Sequence, residues 1–284
     1  MTAHTDERDD FATAARAENF PVATRLLPRE VRRELLAVYA FARLTDDVGD
    51  EYEGDRLAAL DELDQELDRA AAGTAHHPVF RQLSPVLGRL DVGKEPFRAL
   101  IEANRMDQRV HRYATIEDLR AYCMLSAAPI GRIVLSVFNL STPDRVRLSD
   151  EVCIGLQLTE HLQDVGEDAR RGRVYLPEAD LALMACAPED LLAATASTPL
   201  RRVISLESGR ARDLLAHGTP LAATLPLRPR IAVVGFAAGG LAALDAVRRA
   251  EGDVLGHACR PTKPGFARRA LRELLAATFH GASR

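Results

Sequence analysis

The sequence predicts an all-α protein, and three observations carry the prediction. Ala, Leu, Arg and Glu dominate the 284 residues. β-Branched alternation is almost absent, and apolar residues recur at helical spacing along the chain. On that spacing, helices fall at 28–50, 53–72, 78–90, 94–112, 115–139, 149–171, 199–217, 227–251 and 261–279.

Local punctuation supports several ends. Pro28 stands in the first turn of the first helix, where a missing N–H costs nothing. Thr115-Ile116-Glu117-Asp118 has the form of a capping box, and Ser149 is positioned to cap the sixth helix. Gly172 sits where a C′ glycine belongs. The connections are short, and no low-complexity linker, fixed repeat or shift in composition marks a boundary. A single domain over 1–284 is expected, with fraying at its ends.

Composition narrows the function classes. With 47% hydrophobic residues, 27% charged and a formal net charge of −4, the chain lacks the basic excess of a general nucleic-acid binder. The first twenty residues have no basic n-region followed by an apolar core, and no uninterrupted apolar stretch approaches the roughly 18 residues that cross a bilayer. A cytoplasmic location is expected. Cys123, Cys153, Cys186 and Cys259 are scattered without a CxxC pair, so neither a zinc site nor a disulfide framework is indicated. Val233-Val-Gly-Phe-Ala-Ala-Gly-Gly-Leu241 superficially resembles a nucleotide loop, but it lacks GxGxxG spacing and a preceding strand. Small-residue helix packing is the better account of it.

Two acidic patches carry the chemistry: Asp46-Asp47-Val48-Gly49-Asp50 and Asp164-Val165-Gly166-Glu167-Asp168. Each ends a mostly apolar helical run. In projection Tyr39, Arg43, Asp46 and Asp50 fall within about 60° of one another, with Asp47 at the margin. Gln157, Glu160, His161, Asp164 and Asp168 form a second stripe within about 100°. Carboxylates at a helix C-terminus meet the negative end of the dipole, a cost that a bound cation would offset. A solvated face is the bland alternative for either run. Repetition of the pattern, with arginines close by, favours two carboxylate clusters facing one cavity and holding magnesium and a diphosphate. Arg173 and Arg43 are the expected diphosphate contacts, whereas Arg170 and Arg171 suit the helix dipole. His161 is expected to be a core or supporting residue.

These residues resemble the squalene/phytoene synthase family. The likeness spans roughly 16–265 and is strongest in four places: Phe20 with Leu26-Leu27-Pro28; Tyr39-x-x-x-Arg43-x-x-Asp46-Asp47-x-x-Asp50; Tyr122-Cys123 with Gly131; and Gln157-x-x-Glu160-x-x-x-Asp164-x-x-x-Asp168 with Arg173-x-Tyr175. Glu18-Asn-Phe-Pro21, the run from Tyr122 to Gly131, and Leu162-Gln-Asp-Val165 look like the hydroxysqualene synthases of bacterial hopanoid pathways. Gln163 and Gly240 stand where the condensing branches usually carry Arg and Tyr, whereas Glu160 departs from the Asn usual in both.

The resemblance implies an isoprenoid-synthase-type helical bundle around a central apolar cavity. It implies ionisation of presqualene diphosphate, rearrangement of the cation and capture by water to give hydroxysqualene. The cofactor would be Mg2+, with Mn2+ as a substitute and no NADPH. Asp46, Asp50, Asp164 and Asp168 are the expected metal ligands, with Glu160 as a further one; Tyr39 and Gln157 would bind diphosphate or its metal waters. Tyr122 would stabilise the cation through its ring or hydroxyl, or serve as a buried structural tyrosine. Segments 125–138 and 231–244 would wall the hydrocarbon tunnel or be ordinary core. Transient contact with the inner membrane face and handover with other squalene-pathway enzymes are implied as well. The rivals are condensation of two prenyl diphosphates to presqualene diphosphate or phytoene, and a non-catalytic interaction or assembly role.

Overall fold

The computed structural model describes residues 27–257 and 259–281. Phe20, Leu26, the Glu18–Pro21 run and the expected fraying of the ends lie outside the described residues. Among the described residues the regular structure is helical: α1 (Arg29–Asp50), α2 (Arg56–Ala71), α3 (Pro78–Leu87), α4 (Glu95–Asp107), α5 (Ile116–Ser126), α6 (Ala128–Val137), α7 (Pro143–Arg170), α8 (Glu178–Leu183), α9 (Thr198–Gly218), α10 (Leu227–Arg249) and α11 (Lys263–Gly281). Two 3-10 turns, Pro188–Leu192 and Thr219–Thr224, complete the list.

Three departures from the sequence expectation have local causes. The helix read over 115–139 breaks at Ala127, because Pro129 has no N–H to donate and its ring crowds the preceding turn. The sixth helix begins before Ser149: Thr142 accepts from the Arg145 amide at 3.3 Å and Pro143 opens α7. Ser149 is therefore inside the helix and buried, where a Cβ at Gly131 would come within 2.3 Å of its Oγ. Finally, α4 stops at Asp107, and residues 111–114 run alongside 174–179 through hydrogen bonds such as Val174 N–H to the His111 carbonyl at 2.8 Å. The Thr115 capping box forms as read, with Asp118 reciprocating.

The chain gathers into two compact units. One holds the described residues up to Gln108 together with Arg132–Ser141. Its core centres on Phe41, which meets Phe80 at 5.5 Å and Phe97 at 5.3 Å, edge to face, with all three rings fully buried. Such pairs contribute about 0.5–1.5 kcal/mol each beyond area burial. Arg89 clamps this unit by donating to Glu34 at 2.7 Å and to the Val137 carbonyl at 3.0 Å. Between α2 and α4, Arg105 reaches Asp61 and Asp64, and Arg98 reaches Asp64.

The other unit holds Arg109–Gly131 and the residues from Thr142 onward. Its spine is the pair α7 and α9. They approach closely because Gly155 and Gly218 lie at the contact: a Cβ at Gly218 would meet the Leu148 carbonyl and the Val152 amide at 2.8 Å. On α10, Gly240 faces Leu156 and Leu215, so its missing side chain admits core packing. α10 is long and apolar enough to cross a membrane by length and composition alone, with 56% of its apolar window buried. Asp245 ends its uninterrupted apolar run. All four cysteines are free thiols, with Cys123 and Cys259 buried.

Candidate diphosphate-handling residues

The first stripe rides on α1, which contains Tyr39, Arg43, Asp46, Asp47 and Asp50 in one continuous helix. Its lower end is braced by α4. Asn104 donates to Asp46 at 3.3 Å, and Gln108 donates to the Gly49 carbonyl at 3.0 Å. Arg43 pairs with Asp47 at 2.9 Å, and both side chains are partly exposed, so the pair can open to a ligand. The Asp46 carboxylate remains reachable by solvent, yet the protein crowded around it pushes its pKa up to about 6. The Asn104 hydrogen bond and Arg43 oppose that shift, while Asp50 and Asp47 add to it.

The second stripe rides on α7. Glu160 and Asp164 are exposed, and Gln157 and Asp168 are half-buried. Burial pushes Asp168 up to about 7, with repulsion from Asp164 adding to the effect against the attraction of Arg173. Desolvation, then Glu167, also raises Asp164, against Arg260 and Arg171.

How Arg173 reaches this stripe is set by the way α7 ends. Gly172 takes φ +82°, the Gly172 N–H bonds the Ala169 carbonyl at 3.0 Å, and the Arg173 N–H bonds the Asp168 carbonyl at 2.9 Å. This is the Schellman arrangement, and it folds Arg173 back beside Asp168. Arg171 pairs with Glu167 at 2.9 Å, in keeping with its assignment to the helix end.

His161 turns inward from the stripe. Buried and stacked on Tyr175 at 4.0 Å, it has its pKa lowered to about 3 by desolvation and stays neutral. The Gln157 amide lies 3.3 Å from its Nε2. Tyr122 is also buried, between Tyr113 at 5.4 Å and Tyr175 at 5.6 Å. The ring cluster therefore backs α7 from within the unit.

Sequence reading did not find Asn104, Gln108, Tyr113 or Arg260. Asn104 and Gln108 share a helix face at i,i+4, a signal that was present in the pattern. Arg260 had no periodic signal. It is carried beside Asp164 by a turn pinned at Asp253, whose carboxylate accepts from the Ala196 and Gly256 amides at 2.8 and 3.0 Å. Gln163 fixes the same segment to α7 by donating to the Cys259 carbonyl at 2.6 Å.

Among the described residues, no three His, Cys, Asp or Glu side chains converge into a ready metal cage. The donors on both stripes are carboxylate oxygens, the set preferred by hard divalent ions that keep water ligands and share phosphate oxygens. Crowding and like charge disfavour ionisation of Asp46 and Asp168, and a cation would relieve both. The residues fit such an ion.

Comparison with known proteins identifies several similar chains. A hydroxysqualene synthase of Zymomonas mobilis is 35% identical over 212 residues, covering 73% of this chain and 71% of its own length. A phytoene synthase of Arthrospira platensis is also 35% identical, over 215 residues and 70% of each chain. Among solved structures, the squalene synthase HpnC of Alicyclobacillus acidocaldarius matches at 44% identity and TM-score 0.79, covering 86% of this chain and 95% of that one. A dehydrosqualene synthase in complex with ligand matches at 25% identity and TM-score 0.83 over 98% of both chains. The squalene/phytoene synthase pattern matches residues 13–270, and the chain belongs to that family.

Proposed function

We propose that the protein is a hydroxysqualene synthase, converting presqualene diphosphate and water to hydroxysqualene and diphosphate. The observation that carries the reading is the pair of carboxylate stripes, in which burial raises Asp46 to about 6 and Asp168 to about 7, so that a bound cation would favour their ionised forms. Magnesium, bound by Asp46 and Asp50 on one stripe and by Asp164 and Asp168 on the other, with Glu160 beside them, would neutralise charge on the departing diphosphate. The C–O bond breaks with its electron pair going to the leaving group, so no reductant is needed. Arg173 and Arg43 steady that anion, and Tyr39 and Gln157 orient it or its waters. The carbocation rearranges and takes up water, which loses a proton to the medium. Tyr122, whose ring packs between Tyr113 and Tyr175, serves in this reading as the buried structural tyrosine behind the site.

The hydroxysqualene synthase relative supports this branch, and the 44% identity to a squalene synthase supports a squalene-type product. A second reading, condensation of two prenyl diphosphates, draws on the equally similar phytoene synthase. Separate incubations with presqualene, farnesyl and geranylgeranyl diphosphate, with Mg2+ and without NADPH, distinguish the two. Hydroxysqualene from presqualene diphosphate alone supports the first reading. Presqualene diphosphate or phytoene as the sole product would replace it with the second. The greasy substrate and product favour peripheral membrane contact.

A further inference from the structure

A cavity of about 480 Å³ lies between the C-terminal half of α10 and the N-terminal half of α11, and neither acidic stripe contributes to its lining. Its walls include Asp245, Arg248, Arg249, Arg268, Arg269 and Arg272. Five arginines and one carboxylate thus share the lining, with Arg248, Arg249, Arg268 and Arg272 also reaching solvent. That carboxylate is already committed, since Asp245 accepts from Arg212 at 3.1 Å and from Arg269 at 2.7 Å. Among the described residues Arg248, Arg249, Arg268 and Arg272 make no salt bridge.

Helix electrostatics account for only part of this charge. Arg248 and Arg249 occupy the last turn of α10, where cations are favourable. Arg268 and Arg272 do not share that excuse. They stand at i,i+4 on one face of α11, a like-charge spacing that weakens a helix, and the first turn of that helix carries no acid. Maintaining such a cluster around a cavity is favourable when an anion fills it.

We propose that this cavity is a second anion site, taking a ligand that carries one or more phosphate groups. Arginine forks pair bidentately with phosphate oxygens and stay charged at every physiological pH. The volume falls within the range of about 300–1,000 Å³ typical of small-molecule sites, with room beyond a bare diphosphate. Two sources supply that chemistry: the headgroup of an anionic phospholipid, and a soluble di- or polyphosphate. The site stands independently of the reaction assigned to the acidic stripes.

The test uses the full chain, the double variant Arg268→Gln/Arg272→Gln, and the control Arg29→Gln/Arg33→Gln, which removes the same charge from the exposed start of α1. Thermal melts establish that each is folded. Binding is measured in magnesium-free buffer to inorganic diphosphate, to vesicles of phosphatidylcholine, and to vesicles of phosphatidylcholine and phosphatidylglycerol in equal parts. The cavity variant should lose about tenfold in affinity per arginine for one of the anionic probes, with the control unchanged. Loss confined to the mixed vesicles identifies a lipid headgroup, and loss confined to diphosphate identifies a soluble ligand. Equal losses in variant and control, or no anion binding by the wild type, overturn the proposal.

Discussion

The two acidic patches share the run Asp-Val-Gly followed by an acid, yet the structure builds them differently. Gly49 in the first faces a polar side chain, since a Cβ there would lie 2.0 Å from Asn104 Oδ1. Gly166 in the second faces an apolar one, with Leu255 Cδ2 at 2.8 Å. The first patch has one arginine acting on it, already paired with Asp47. The second has Arg171, Arg173 and Arg260 nearby. Even so, both Asp46 and Asp168 are raised: desolvation is the largest cause at each, opposed at Asp46 by the Asn104 hydrogen bond and reinforced at Asp168 by repulsion from Asp164. The count of neighbouring cations is therefore a poor guide to carboxylate charge here; withheld water raises both groups, and the hydrogen bond or carboxylate beside each tempers or adds to it. The first patch is a braced carboxylate platform, while the second sets its carboxylates among arginines, which in the proposed function receive the diphosphate.

The largest expected effect comes from removing one carboxylate charge on either platform. Asp46→Asn and Asp164→Asn should each lower kcat by about 10²–10³-fold, the scale associated with losing one preorganised electrostatic contact to a developing charge. Single-turnover diphosphate release measures it. A loss confined to one stripe would break the equivalence of the two patches.

Arg173→Gln comes next. If the second patch is the one that receives the anion, kcat/KM for presqualene diphosphate should fall about 10–100-fold. Arg171→Gln, which gives up an exposed pair with Glu167, should cost less than about twofold. Equal effects of the two substitutions would remove the special place assigned to Arg173.

The pH dependence follows from the sign of the shifts. Asp46 and Asp168 have folded pKa values raised to about 6 and about 7, above the ordinary carboxylate value. Their contribution to stability is present at low pH and is lost as pH rises through those values. A cation that pairs with the ionised forms should recover it. Magnesium should therefore raise Tm more at about pH 8 than at about pH 5, and Asp168→Asn should raise the metal-free Tm at the higher pH. A magnesium effect independent of pH would argue against these two carboxyls as its site.

The smallest effect is structural and sharpens the contrast between the glycines. Gly49→Ala should destabilise by about 1–3 kcal/mol by displacing Asn104 from Asp46. Gly166→Ala should cost less, because the leucine side chain it meets can rotate away. Denaturant midpoints for the two variants give the order directly.

Much of the helical layout was legible because its signals are local. The capping box at Thr115 and the glycine at 172 each satisfy backbone groups within one turn, and both behave as read. Thr142-Pro143 and Pro129 carry equally local signals, but the apolar period runs across Pro129 and is weak before Ser149, so it hides both the start of α7 and the break before α6. The stripes were legible because helical spacing alone puts Asp46 with Asp50 and Asp164 with Asp168 on one face. What that spacing could not supply was tertiary. Arg260 owes its position to the Asp253 turn, and Asn104 meets Asp46 only because Gly49 lets α4 approach. The inward turn of His161 likewise depends on Tyr175, which the backbone pairing of Val174 with His111 holds in place.

The most direct test of the central claim is diphosphate release from presqualene diphosphate, with magnesium and without NADPH, by the wild type and by Asp46→Asn/Asp164→Asn. The account predicts rapid release with hydroxysqualene as product for the wild type and no detectable turnover for the folded double variant. Wild-type turnover in that variant would contradict the assignment of the two stripes.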